Sequence, residues 1–276
     1  MVRLGMVLTV LLSVTSAAMA ADGAVEIDAA AAAAGNVTPG DAPGLPVSIT
    51  VPGSYVLTGS LSVPAAGTTA IVISANDVSI DLNGFSISGP ASCAGSPASC
   101  SGTGAGIGIS GTAAAGVSIR NGAIRGMGSD GIRIGSAAVV EEIRASGNGG
   151  SGVVVGVGSM LRHNTATGNG ATGLTMGSAS IATDNVARSN GSHGIAGSAF
   201  SGQLVFRKNV ASSNGGFGLA GTGAQTGDVM FGENLLSGNN GGNANPQVLL
   251  FSQFGIVLDL GNNLCSKPPF NRDPSC

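Results

Sequence analysis

The chain has 276 residues, among them 48 glycines, one tyrosine and no tryptophan, with only 9% charged residues and a formal net charge of −3. So few charges beside 43% hydrophobic residues exclude intrinsic disorder, which needs high charge and low hydrophobicity. The slightly acidic balance gives no basic footprint, so nucleic acid is not an expected partner.

Residues 1–20 read as a secretory signal peptide. Arg3 supplies the positive start, Met6 to Val14 the apolar core, and Ala18-Met19-Ala20 a small-x-small cleavage site before Ala21. A retained anchor is the alternative, but the apolar core is short for a span, and no other stretch approaches one. The expectation is a bacterial protein exported to the periplasm or beyond, with no membrane span after signal removal. Residues 21–47 form an N-terminal cap segment. Its AVEIDAAAAAA run predicts a short helix, with Asp28 placed to cap it, that covers the open end of a stack of coils. The Pro- and Gly-rich stretch 38–46 ends that helix.

Residues 48–246 carry the repeats. Ser48 to Val63 alternates as strands, and Ile71 to Ile87 makes the first clear coil. Within it, Asp81 and Asn83 suit a turn, where both side chains bond their own backbone, better than an acid or base on a sugar enzyme. Cys93 and Cys100 bracket a six-residue loop, and Cys265 and Cys276 bracket the tail. Four cysteines allow three pairings. The local ones, Cys93–Cys100 and Cys265–Cys276, are expected because the two pairs lie far apart along the repeat. Zinc is not expected at these spacings, with neither histidine near a cysteine, and no metal or cofactor is implied. GTGAGIG (102–108) lacks the helix and second acidic residue of a dinucleotide site and reads as turn and coil.

From Ser129 to Leu219 one pattern recurs: SDGIRIG, GSGVVVG, ATGLTMG, SHGIAGS and GFGLAGT. Its glycines, Gly131, Gly152, Gly173, Gly194 and Gly218, are 21, 21, 21 and 24 residues apart. Asn148, Asn169, Asn190, Asn214 and Asn239 form one asparagine column, and Asn164, Asn185, Asn209 and Asn234 a second. A period of 21–25 residues with short alternating runs and Gly/Asn/Ser turns predicts an all-β solenoid of stacked coils. Three apolar columns are expected to face inward: Ile132, Val153, Leu174, Ile195 and Leu219; Ala145, Ala166, Ala187, Ala211 and Leu236; and Val139, Met160, Ile181, Val205 and Met230. The asparagines fit turns, where they tolerate left-handed backbone and their amides can bond from coil to coil. Residues 247–276 begin with the most apolar stretch of the mature chain, a last coil or a strand laid across the end, and close in a disulfide-stapled tail.

Ionisable residues are sparse. The same steps align Glu142, His163, Asp184, Lys208 and Glu233 just before an Asn turn, so this column is expected to face solvent. Near-alternating signs would favour coil register as an exposed charge ladder, each pair contributing little. A second reading makes the column the lining of a groove for a linear glycan, with Arg162 and Arg207 one position earlier pairing uronate or sulfate. Arg120, Arg125, Arg133 and Arg144 with Asp130 make another polar group. A lyase needs a cation beside the uronate carboxylate and a base near C5, which would make Arg120, Arg125, Asp130 and Arg144 the catalytic candidates.

The stretches PGSYVLTGSLSV (52–63), DVSIDLNGFSISGP (77–90), IRNGAIRGMGSDGI (119–132) and the Gly-hydrophobic coils after them resemble the right-handed parallel β-helix proteins of the pectin-lyase-like class. Within that class they are similar to a bacterial secreted group with no assigned reaction. The resemblance covers nearly all of the mature chain and implies the right hand of the helix. It does not carry a reaction over. Polygalacturonase-type hydrolases show Asn-Thr-Asp, Asp-Asp and Gly-His-Gly. This chain has Thr183-Asp184-Asn185 and Ser192-His193-Gly194 but no Asp-Asp. The aspartate cluster of pectate lyases, the Asp-Pro-His of alginate epimerases, calcium-roll nonapeptides and the repeated Thr-x-Thr of ice-binding faces are also missing. The function expected is a secreted, non-catalytic β-helix that binds polysaccharide or acts at the cell envelope or matrix. The alternative is a polysaccharide lyase or epimerase acting on acidic glycans.

Overall fold

The computed structural model describes residues 23–198, 202–223, 227–240, 247–252, 256–267 and 271–272. Through them the chain winds as a parallel β-helix. Each coil has three sides. One side is a nine-stranded parallel sheet with one strand per coil, from Val47–Ile49 through Ile132–Ile134 to Val248–Ser252. The other two sides are arms of a single larger sheet. In the coil of Val153–Val155, for example, they are Met160–Arg162 (first arm) and Thr165–Thr167 (second arm).

Sharp corners between the sides are made by left-handed residues. Gly116, Ala137, Gly158, Ala179 and Gly202 enter the first arm. Asn121, Glu142, His163, Asp184, Lys208, Glu233 and Asn262 separate the two arms, with φ between 54° (His163) and 59° (Glu233). Gly126, Gly147, Gly168, Ser189, Ser213 and Gly238 close the coil. This corrects one expectation: the two asparagine columns are not themselves left-handed. Each asparagine follows the left-handed residue, and its side chain turns inward to bond the backbone exposed by the bend.

The resulting ladders are continuous. Asn148, Asn169, Asn190, Asn214 and Asn239 stack at one corner, ending on Gln247. Asn164, Asn185, Asn209 and Asn234 stack at another, ending on Asn263. Each Nδ2 donates to the next coil's side-chain oxygen at 2.7–3.1 Å. It donates as well to a carbonyl of the coil before, as Asn169 does to Ala145 at 3.1 Å. Every one of these nine asparagines is at most 1% exposed. A buried amide is tolerated only when its donors and acceptors are paired, and the stack pairs them.

The columns through Ile132 and through Ala145 face inward as expected and are fully buried. The third does not. Val139, Met160, Val205 and Met230 are half-buried and Ile181 is 38% exposed. The inward column lies one residue later, at Val140, Leu161, Ala182, Phe206 and Phe231. Both positions are apolar in every coil, so a period of two cannot choose between them, whereas the polar residue that follows at Glu141, Arg162 and Arg207 needs water.

The repeated glycine of each coil has a steric cause. A Cβ on Gly173 would stand 2.6 Å from the carbonyl oxygen of Gly194 and 2.7 Å from the Asn190 amide. No real Cβ accepts that approach, so the corner under each asparagine stays open only to glycine.

At the N-terminal end Val25–Ile27 pairs with Tyr55–Leu57, and a six-residue helix, Ala29–Ala34, comes next. Asp28 caps it by accepting from Ala31 N–H at 2.7 Å. The apolar stretch after residue 247 is a last coil: Val248–Ser252 and Val257–Asp259 pair in parallel with Leu219–Gly223 and Val229–Gly232. Cys93 and Cys100 form the expected disulfide inside an antiparallel hairpin, Ser92–Ala94 with Ser99–Ser101. The expected Cys265–Cys276 pair and the signal segment 1–20 involve residues outside those described.

Candidate binding faces of the larger sheet

On the first arm, outward side chains form two columns beside the left-handed corner. The apolar column of Val139, Met160, Ile181, Val205 and Met230 runs next to Asp81, Arg120, Glu141, Arg162, Thr183 and Arg207. The corner then presents Glu142, His163, Asp184, Lys208 and Glu233. The first four are exposed and Glu233 is partly buried. Parallel pairing stacks them in register, so these side chains stand in rows about 4.8 Å apart.

The arginines of this arm are held by carboxylates. Arg120 Nε bonds Asp81 at 2.9 Å, Arg162 pairs with Glu141 of the coil before, and Arg207 pairs with Glu233 of the coil after. Within the corner column itself the only ion pair among the described residues is Lys208–Glu233 at 3.9 Å. Asp184 instead accepts from its neighbour Thr183 Oγ1 at 2.8 Å. Asp81 also accepts from Asn83 N–H at 2.7 Å, the self-bonded turn its sequence suggests. The face is therefore nearly charge-compensated and open to solvent.

Arg120, Arg125, Asp130 and Arg144 lie on different sides of the helix. Arg120 is on the first arm, Arg125 and Arg144 are on the second, and Asp130 sits at the corner before the nine-stranded sheet. Asp130 is 2% exposed. It accepts from Arg133 Nε at 2.6 Å and from Ser151 N–H at 2.7 Å, so it ties one coil to the next.

His193 stands at that same corner, stacked on Phe217 with ring centroids 5.6 Å apart. Its Nδ1 accepts the Phe217 N–H at 3.0 Å, and burial lowers its pKa below the usual histidine value. Both effects favour the neutral ring, the one by needing a lone pair and the other by disfavouring charge. Among the described residues no three His, Cys, Asp or Glu side chains come together as a metal site, and no helix is long and apolar enough to cross a membrane. Sequence reasoning missed Arg188. Its column neighbours Ser146, Thr167 and Ser212 carry no charge, so no repeat marked it.

Stacked three-sided coils closed by satisfied asparagine ladders, with flat outer arms of in-register side chains, define a parallel β-helix. Residues 105–263 match the family model described as the right handed beta helix region, and the chain belongs to that family. Among solved structures it is similar to the periplasmic alginate epimerase AlgG, at 17% identity and a TM-score of 0.54, with 81% of this chain and 56% of that chain covered. It is also similar to the A-module of the mannuronan C-5 epimerase AlgE6 of Azotobacter vinelandii, at 19% identity and a TM-score of 0.51, covering 72% and 71%. The chain thus spans little more than half the length of AlgG. At these identities the likeness is one of fold. The chain matches no curated protein.

Proposed function

We propose that this chain is an extracytoplasmic β-helix protein that binds a polysaccharide along the outer arms of its larger sheet and does not itself transform it. The observation that carries this reading is the in-register polar surface of the first arm and its corner. Arg162, Arg207, Glu142, His163, Asp184, Lys208 and Glu233 offer donors and acceptors at the coil repeat. A linear glycan presents hydroxyls at a similarly regular interval and needs such recurrent partners. The Cys93–Cys100 disulfide supports an oxidising compartment, which accords with the secretory reading of residues 1–20.

A second reading, an epimerase or lyase on acidic glycans, is favoured by the fold likeness to two alginate epimerases. Against it, the four residues suggested for catalysis are dispersed, and Arg120 and Asp130 are engaged in ion pairs. Fold likeness alone is a weak warrant for a reaction.

Protein purified from the extracytoplasmic fraction, its mass checked for cleavage after Ala20, would be titrated calorimetrically with neutral and acidic polysaccharides. Saturating heat is expected. Heat that continues at a steady rate, with new uronate signals in the proton spectrum of polymannuronate, would instead establish the enzyme. Silence across the panel would overturn both readings.

A further inference from the structure

The second arm differs from the first in a way its sequence hides. Its outward side chains form two columns. One runs through Ala123, Arg144, Thr165 and Val186, the other through Arg125, Ser146, Thr167 and Arg188. These columns hold three arginines, three hydroxyl side chains and no carboxylate. Arg125, Arg144 and Arg188 are all exposed, and none makes an ion pair among the described residues, whereas Arg120, Arg162 and Arg207 on the first arm are each matched to an acid. The hydroxyls of Ser146, Thr165 and Thr167 make no hydrogen bond among the described residues. In a chain of formal charge −3, an arm with three unmatched guanidiniums is a local reversal of sign.

The arm is bounded on both sides. The acids nearest along the chain are Asp130 for Arg125, and Glu142 and Asp184 at the corner for Arg144 and Arg188, and none is within ion-pair distance of these arginines. On the far side runs the disulfide hairpin. Gly89 N–H bonds the Arg125 carbonyl at 2.9 Å, the Cys93 sulfur lies 3.5 Å from the Asn148 carbonyl, and Ala98 N–H bonds the Ser189 carbonyl at 3.0 Å. The hairpin and the residues leading into it therefore follow the foot of the Arg125–Arg188 column across its four coils, and residues 89–104 contain no charged side chain. Arg125 and Arg188 stand roughly 14 Å apart along the axis, at about 4.8 Å per coil.

We propose that the second arm, between its corner and the hairpin, is a binding trough for a linear anionic glycan bearing uronate or sulfate groups. Planar guanidiniums take such oxyanions in paired hydrogen bonds, and the intervening hydroxyls serve the sugar. This rests on the polysaccharide-binding reading and adds to it the second arm and an anionic ligand class.

The test is affinity for polymannuronate, polygalacturonate, dextran sulfate, neutral dextran and polyphosphate, at about 20 mM and about 300 mM salt. Wild type and the R125Q, R144Q, R188Q and triple variants would be compared, each shown by melting to be folded. The acidic glycans are expected to bind and to weaken at high salt. Each single variant should lose about two- to fivefold and the triple variant roughly 30-fold, the range for exposed charge pairs. R133Q, which removes a charge from the nine-stranded sheet rather than from either arm, should stay within about twofold. A folded triple variant that binds acidic glycans like wild type, or a wild type that binds only neutral dextran, would overturn the trough and leave the polysaccharide reading standing. Binding of polyphosphate alone, or of nothing, would overturn both.

Discussion

A single asparagine in these ladders satisfies several hydrogen-bonding groups at once. Asn169 Oδ1 accepts from Asn148 N–H at 3.2 Å and from Asn148 Nδ2 at 2.9 Å, while its own Nδ2 donates to Ala145 and Asn190. Asn169→Leu would strand donors and acceptors where water cannot reach. A loss of about 3–5 kcal/mol is expected by chemical denaturation, since each buried orphan costs about 1–3 kcal/mol. Unchanged stability would mean the stack closes around the leucine. His193 makes a prediction of opposite character. Its pKa is lowered by burial, so above the ordinary value near 6.5 folded and unfolded states are both neutral and nothing is lost. As pH falls through that value the unfolded state takes up the proton first, and the folded state is disfavoured. Melting temperature should therefore decline below about pH 6.5, and His193→Gln should flatten that decline. An identical profile in the variant would place the sensitivity elsewhere.

At the scale of elements, the hairpin of residues 92–101 is the exception to a nearest-neighbour architecture. In a solenoid each coil touches only the coils beside it. The hairpin leaves after the strand Ser86–Ser88 and reaches along the helix until Ser96 Oγ bonds Ser189 Oγ at 2.9 Å and the Ser213 carbonyl at 3.4 Å. It thereby couples coils that otherwise communicate only in series. Opening the disulfide with the C93S/C100S pair should lower stability by about 2 kcal/mol, from the entropy of so short a loop. Amide exchange at Ala98, whose N–H bonds the Ser189 carbonyl, should rise, while Leu174 and Ile195 in the nine-stranded sheet stay protected. Equal protection at Ala98 in both forms would show that its backbone bonds suffice. The two arms, one charge-compensated and one cationic, belong to this scale too. Both are strands of the same sheet, and only the acids at Asp81, Glu141 and Glu233 separate their chemistry.

For the whole molecule the β-helix is a rigid support on which function is a matter of faces. Fold likeness to AlgG and to the AlgE6 A-module shows the scaffold alone, because the same scaffold carries many functions. Polysaccharide titration probes the molecule at this scale, since a glycan lying along an arm would engage several coils at once. A ligand spanning them should also raise the melting temperature by linkage, in proportion to its affinity.

The stacking of coils was legible in the chain itself. A recurrent step of 21 to 25 residues repeats glycine where a Cβ would strike the next coil, asparagine where a corner leaves backbone unpaired, and aliphatic residues where the core needs filling. Each of those demands is local and recurs, so it leaves a periodic trace. What faces outward leaves no such trace. Val139 and Val140 are both apolar, and only packing put one inside and the other on the surface. Asparagine is a residue expected to tolerate a left-handed bend, yet Glu142, His163, Asp184, Lys208 and Glu233 take it here, and the inward amide follows one position later. The ion pairs of Arg162 and Arg207 join residues a coil apart, and the lack of an acidic partner for Arg125, Arg144 and Arg188 among the described residues depends on which arm each occupies. Those are facts of three-dimensional neighbourhood, decided when the coils stack.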